Sequence, residues 1–256
     1  QGTAGVFGAK LSPYLVTDGA PIITAWTLLM SMETGQPLLL CDSSQLTTER
    51  TAGTTALAVD LLAAPDATHL AIIGSGAVAQ AHYRHVRDLR EWSTVTVYAR
   101  SLADNEKRQE SWRALRDDVQ FADSAEAAAD NADVVMLCTS SGTPVIDSTA
   151  IGSNTLVTSI STNVAKAHEV DPAWLKDAQV YCDYLETTPE SAGEMVLAAQ
   201  DHGWSKDAIQ GDLAGLSNKT CMRPAAGKPV FFRSIGLGLE DIAAAKALLK
   251  LATQDR

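Results

Sequence analysis

One short stretch constrains this chain more than any other. An apolar, β-forming run, His69-Leu70-Ala71-Ile72-Ile73, leads directly into Gly74-Ser75-Gly76-Ala77-Val78-Ala79 and then into a helical pattern from Val78 to about Arg90. In that helix apolar or small residues recur at Val78, Ala81, Val86 and Leu89. Gly74 permits a tight turn, Gly76 leaves room for a pyrophosphate against the backbone, and Ala79 lets the helix lie close to the sheet. The first amides and the dipole of the helix then form an anion site. The position of the glycines between a strand and a helix is what makes dinucleotide binding the reading.

The alternation continues downstream. Thr94-Val95-Thr96-Val97-Tyr98 reads as a second strand, Leu102 to Val119 as a charged helix and Asp133 to Cys138 as a third strand, with further strands at Thr155 to Ile160 and Ala178 to Tyr181. Such alternation specifies βαβ units, so the expected fold is α/β with one doubly wound parallel sheet. Upstream, Pro21 to Leu29 and Pro37 to Cys41 read as extended runs joined by Met32-Glu33-Thr34-Gly35-Gln36, a turn whose glycine suits φ > 0. A helix follows from Leu46 to Leu62, and Pro65-Asp66 marks the joint into the βα block. At the far end, Gly236 to Leu251 is patterned as a helix, with Leu239, Ile242, Ala243, Leu248 and Leu249 available for a buried stripe. The expected organisation is a second domain made of both chain ends, residues 1–64 and 223–256, around a dinucleotide-binding domain at residues 65–222.

Composition narrows the partners. At 256 residues the chain can bury a core without metal or disulfide staples. Lys+Arg 20 against Asp+Glu 31 leaves a net charge of −11, which counts against a nucleic-acid partner bound through phosphate neutralisation. A hydrophobic content of 46% with 20% charged residues is that of a globular chain, not a disordered one. Of the longest charge-free stretches, Gly19 to Met32 is too short to span a membrane and Ser148 to Ala165 is rich in Ser, Thr and Asn, so no membrane helix is expected. Cys41, Cys138, Cys182 and Cys221 are widely separated with no C-x-x-C pair, so neither a metal site nor a redox motif is written here, and a reduced, cytoplasmic chain fits best. Gln1-Gly2 has no signal-peptide features and reads like a start partway into a protein.

About 25 residues beyond the glycine turn, where an NAD-selective fold places Asp or Glu against the ribose diol, stands Tyr98-Ala99-Arg100-Ser101. Arg100 can fork onto a ribose 2′-phosphate while Ser101 donates a hydrogen bond. The cofactor expected is therefore NADP(H), with NAD(H) possible and less favoured.

Five blocks in one order carry a resemblance: Gly8-Ala9-Lys10, Glu33-Thr34-Gly35-Gln36-Pro37, Leu46-Thr47-Thr48-Glu49-Arg50-Thr51-Ala52, the Gly74 turn, and Phe232-Arg233-Ser234-Ile235-Gly236-Leu237-Gly238-Leu239-Glu240-Asp241. Together they resemble the ornithine cyclodeaminase/mu-crystallin family, which includes alanine dehydrogenases, ketimine reductases and opine-type synthases. The resemblance implies a Rossmann-type domain set into a dimerisation and substrate domain formed by both chain ends, and a homodimer. Members usually begin several tens of residues earlier, which would put an opening strand and a substrate-binding arginine upstream of Gln1. It also implies that Lys10 and Arg50 hold the substrate α-carboxylate and act as the catalytic pair. A two-cation clamp makes chemical sense there, because hydride transfer needs the carbon between nitrogen and carboxylate fixed against the nicotinamide. Lys10 is also placed to pass a proton to the imine nitrogen if the neighbouring arginine lowers its pKa. Cofactor contacts are implied at Thr51, Gly74, Gly76, Ala77, Val78, Ala79, Arg100, Ser101, Thr139, Ser234 and Gly236.

The informative departure lies in Ser161-Thr162-Asn163-Val164-Ala165-Lys166-Ala167-His168-Glu169-Val170-Asp171. The cyclodeaminases carry an aspartate base where Asn163 stands, and asparagine cannot accept a proton. Asn163 is kept as a substrate-binding residue, cyclodeamination is disfavoured, and the redox chemistry of the family remains. His82 and His85 read as surface or interface residues, His168 with Glu169 as a solvated pair, and Asp117, Asp118, Asp130 and Asp133 as solvated helix ends. Thr139-Ser140-Ser141 follows a strand at the sheet edge where α/β folds bind ligands. The leading expectation is NADPH-dependent reduction of a small cyclic ketimine, Δ1-pyrroline-2-carboxylate or Δ1-piperideine-2-carboxylate. The alternatives are an amino-acid dehydrogenase or opine-type synthase and a non-catalytic crystallin-like binding protein.

Overall fold

The computed structural model describes residues 5–15, 17, 22–162 and 164–254, leaving out the side chains of Tyr14 and Ile23. The chain divides into two compact units, Gln1–Thr51 with Gly236–Arg256, and Ala52–Ile235.

In the first unit, β1 (Val6–Leu11) is followed by the short antiparallel pair β2 (Tyr14–Leu15) and β3 (Ile22–Ile23), then by β4 (Trp26–Ser31), β5 (Pro37–Asp42) and the helix α1 (Ser44–Leu62), which runs on into the second unit. β1, β4 and β5 form an antiparallel sheet in the order β1-β4-β5. The extended run expected from Pro21 to Leu29 is split between β3 and β4, and Pro21 lies outside the described residues. The hairpin between β4 and β5 closes at Ser31, whose amide donates to Gln36 O, and Gly35 takes φ +68°.

The second unit begins with β6 (His69–Ile73), α2 (Ala77–Val86), β7 (Thr94–Tyr98), α3 (Glu106–Arg113), β8 (Gln120–Phe121), α4 (Ala125–Ala129) and β9 (Val134–Leu137). It continues through β10 (Leu156–Ser159), β11 (Gln179–Cys182), α5 (Thr188–Ser191), α6 (Gly193–Asp201), β12 (Ile209–Asp212), α7 (Leu213–Ser217) and β13 (Val230–Arg233). The chain then returns to the first unit as α8 (Gly238–Gln254). Eight parallel strands lie in the order β12-β11-β13-β10-β9-β6-β7-β8. The order reverses between β6 and β9, which is the switch point where such sheets bind ligands.

Alternate residues of each inner strand feed two separate cores. Leu70, Ile72, Val134 and Met136 join α1 and α2 residues such as Val59, Leu62, Tyr83 and Val86. Ala71, Ile73, Val135 and Leu137 join α4 and α6 residues such as Ala128 and Met195 on the opposite side. A sheet covered on both faces needs runs that are apolar throughout, and this one has them.

Several helices are shorter than their patterns suggest. The charged stretch 102–119 is helical only from Glu106 to Arg113, because Asn105 caps its start by accepting from the Arg108 amide and the chain must turn toward β8 at Gln120. The helix expected to reach Arg90 ends at Val86, and Trp92 folds back to donate its indole N–H to Val86 O. In α8 the buried positions are Asp241 and Ala245. Ile242 and Leu249 are half-buried, and Leu239, Ala243 and Leu248 are exposed, so the apolar stripe is not the buried one.

His82 is not a surface residue. It is wholly buried in α2, with Nδ1 2.8 Å from Val78 O and Nε2 3.0 Å from Thr55 Oγ1 on α1. Burial drives its pKa down to about 4. The unfolded chain therefore binds a proton between pH 6.5 and 4 that the folded chain does not, and stability falls with pH across that window by about 3 kcal/mol at most. Thermal denaturation of His82→Gln at pH 7 and pH 4.5 should show a smaller loss of Tm than wild type over the same interval.

Candidate active site

The glycine turn is built by backbone contacts across three strands. Gly74 donates its amide to Tyr98 O at 2.7 Å, and the next strand follows with Cys138 N donating to Ile73 O at 2.7 Å. Gly74 sits at φ +119°, and a Cβ there would lie 2.3 Å from Cys138 O. Only glycine allows β6 to turn this tightly beside β9. Gly76 is the N-cap of α2 and has no side chain with which to cap it, Ala77 is exposed, Val78 half-buried, and Ala79 is fully buried against the sheet. The first amides of α2 are thus left for an anion at the switch point. This cradle fits a dinucleotide pyrophosphate.

Arg100 and Ser101 follow β7, both exposed, and neither side chain has a hydrogen-bond partner among the described residues. Thr139 sits just past β9, but its hydroxyl and amide both donate to Glu169 Oε1, at 2.6 and 2.9 Å. Ser234 is buried and donates its hydroxyl to Asp183 Oδ2 at 2.9 Å. Thr51 donates its hydroxyl back to Thr47 O within α1 at 2.7 Å.

Glu169 is a buried anchor and not half of a solvated pair. Its other oxygen accepts from Ser159 Oγ at 2.8 Å, Ile160 N at 3.0 Å and Ser161 N at 3.1 Å, so one carboxylate ties the ends of β9 and β10 together. Arg233 lies beneath the same loop and donates to Ser159 Oγ at 3.0 Å and to Ser161 O at 2.5 Å. Its Nε is 2.8 Å from Glu194 Oε1, close enough for an ion pair though not aligned for a hydrogen bond. Burial pushes the Glu194 carboxyl upward, and Arg233 opposes that shift. Ser161, Val164, Lys166, Arg233 and Ile235 line a cavity of about 280 Å³. Asn163 belongs to this loop but lies outside the described residues. Asp133, read as a solvated helix end, instead accepts the amides of Thr68 and His69 at 2.7 and 2.9 Å.

In the first unit, Lys10 and Arg50 are brought to one point. Lys10 Nζ is 3.0 Å and Arg50 Nε is 2.9 Å from the same oxygen, Oδ1 of Asp241. Lys10 also reaches Thr47 Oγ1 at 3.2 Å, and Arg50 Nη1 lies 3.3 Å from Glu240 Oε2. Gly236 makes room for Arg50: at φ +75°, a Cβ there would sit 2.3 Å from Arg50 Nη1. Two cations here meet two carboxylates, and all four side chains are mostly buried. Lys10 thus faces the carboxylate of Asp241 as well as its arginine neighbour. Asp241 was missed as a site residue, although it stands within the Phe232 to Asp241 block.

A parallel sheet with an anion cradle at its switch point is the frame of an NAD(P)H-dependent oxidoreductase. The chain belongs to the ornithine cyclodeaminase/mu-crystallin family, whose model matches residues 7–255. It is 56% identical over 246 residues to the NAD(P)H-dependent anabolic L-arginine dehydrogenase DauB of Pseudomonas aeruginosa, covering 96% of this chain and 78% of that protein. It is 27% identical over 226 residues to a Delta(1)-pyrroline-2-carboxylate reductase of Colwellia psychrerythraea, covering 87% of this chain and 72% of that one. The structure of the Thermococcus litoralis Delta(1)-pyrroline-2-carboxylate reductase in complex with NADH and L-proline shares the fold with a TM-score of 0.90, at 23% identity over 98% of this chain and 80% of that one.

Gly74→Ala should raise the dissociation constant for NADPH at least tenfold and lower Tm, since the added Cβ must displace the Cys138 carbonyl. Titration of NADPH fluorescence and a thermal scan of the ligand-free protein check both.

Proposed function

We propose that this protein reduces the C=N bond of an α-imino acid formed from a guanidino 2-oxo acid and ammonia, yielding L-arginine. The observation that carries the substrate is the 56% identity to an L-arginine dehydrogenase over 246 residues. The convergence of Lys10 and Arg50 on a single carboxylate oxygen supports the chemistry. Condensation of the oxo group with ammonia releases water and gives the imine. Reduction adds a hydride to carbon and a proton to nitrogen. Bound NAD(P)H supplies that hydride. Lys10 and Arg50 grip the substrate carboxylate from two sides and so fix the imine carbon, and Lys10 Nζ is the protein's proton donor toward nitrogen. Asn163, with no basic oxygen, fits reduction better than cyclodeamination.

A second reading has the same chemistry on a cyclic ketimine, Δ1-pyrroline-2-carboxylate or Δ1-piperideine-2-carboxylate. The 27% identity to a pyrroline-2-carboxylate reductase favours it. In both readings Arg100 and Ser101 take the 2′-phosphate of NADP(H), and Thr51, Thr139, Ser234 and Gly236 border the cofactor. Thr139 and Ser234 do so through backbone or by exchanging their present partners.

A homodimer is part of this reading. Phe7 and Leu11 on β1, Trp26 on β4 and Leu40 on β5 share one sheet face by strand register, and all four are exposed, Leu11 by 70%. An apolar face of this kind suits a second copy of the chain. Among the described residues no helix is long and apolar enough to cross a membrane. The four cysteines are free, and a reducing, cytoplasmic setting is part of the same reading.

NADPH oxidation measured with the guanidino 2-oxo acid plus ammonia, with each cyclic ketimine, and with no substrate decides between the readings. The first is expected to give the highest kcat/KM, and turnover of a cyclic ketimine alone would select the second. Lys10→Met and Arg50→Met should each lower kcat/KM by roughly a hundredfold, about 3 kcal/mol, with NADPH affinity unchanged. Arg100→Asp should reduce or reverse a preference for NADPH over NADH that amounts to about tenfold in wild type.

A further inference from the structure

Beside the glycine turn stands a guanidinium that makes a single side-chain hydrogen bond among the described residues. Asn105 starts α3 so that Arg108 and Trp112, one helical turn apart, face the same way. Trp112 is fully buried, its ring 6.0 Å from that of Tyr83, and its indole N–H donates to Ser75 O at 3.2 Å. Arg108 Nη1 donates to the same carbonyl at 2.9 Å. That bond uses one of five donors, and among the described residues no acceptor meets its Nε or Nη2. A Cβ built on Gly76 would find a single heavy atom within 4 Å, Arg108 Nη1 at 3.7 Å. The side of Gly76 that lacks a Cβ is the side from which a pyrophosphate approaches the turn. Any phosphate seated there has the Arg108 guanidinium as its wall.

We propose that Arg108 is a cofactor-binding residue that pairs with the dinucleotide pyrophosphate. It is separate in position and role from Arg100, which is read as the 2′-phosphate contact. The inference rests on the glycine turn as the pyrophosphate cradle and not on the choice of substrate. A charge-assisted pair with pyrophosphate serves NADPH and NADH alike, whereas a 2′-phosphate contact serves NADPH alone.

The test is titration of each reduced cofactor, followed by nicotinamide fluorescence, against wild type, Arg108→Met, Arg108→Lys and Arg100→Met, with Tm of each ligand-free protein. Arg108→Met should weaken NADPH and NADH by the same factor, about tenfold or more, and Arg108→Lys should recover part of the loss. Adenosine 2′-monophosphate, which has no pyrophosphate, should bind wild type and Arg108→Met equally. Unchanged affinity for both cofactors, or a loss confined to NADPH, would overturn the proposal. So would a large fall in ligand-free Tm with no recovery by lysine, since Arg108 would then only hold Ser75 in place. If Arg100→Met fails to separate NADPH from NADH while Arg108→Met behaves as expected, the 2′-phosphate reading fails and the present one stands.

Discussion

The contact on which the second unit depends is the approach of the Gly74 backbone to the carbonyl of Cys138. No side chain fits between them. The Gly74 amide given to Tyr98 and the Cys138 amide given to Ile73 join the carboxyl ends of β6, β7 and β9 backbone to backbone. A parallel sheet brings these ends to one edge, and the reversal of strand order opens a crevice there. The anion cradle follows from that geometry, because α2 must start where the turn releases it.

Charge is handled differently in the two units, but in both a buried charge is held by partners from distant segments. In the second unit, Glu169 takes five hydrogen bonds from Thr139, Ser159, Ile160 and Ser161, and Arg233 braces the same loop from below. In the first unit, Asp241 holds Lys10 and Arg50 within 3.0 Å of one oxygen. Strand β1 and helix α1 each contribute one cation and helix α8 both carboxylates, so the geometry of the cluster follows from the packing of three elements.

Much of this was legible in the residues. The inner strands declare themselves as short apolar runs, and β6 and β7 lie where their patterns place them, to the residue. Lys10 and Arg50 could be named because each stands in a recognisable block. Asp241 could not be separated from Glu240 beside it by pattern alone, since which acid turns inward depends on how α8 is seated. His82 and Glu169 were misjudged for a related reason. A lone polar residue on a helix or loop reads as exposed until a partner from a distant segment, Thr55 or Thr139, is found to satisfy it.

The linear order of residues therefore determined the class of fold, because hydrophobic period and the glycines of a turn are local properties carried by a few neighbours. It also determined that Asn163 offers no base, since that is a matter of residue chemistry. Tertiary structure decided which charges meet: Arg50 and Asp241 are 191 positions apart, and Arg108 comes to Ser75 from 33 positions away. It decided as well that the inward residues of α8 are Asp241 and Ala245 and not the leucines. Pairing across such separations is set by the packing of whole elements, and no local pattern records it.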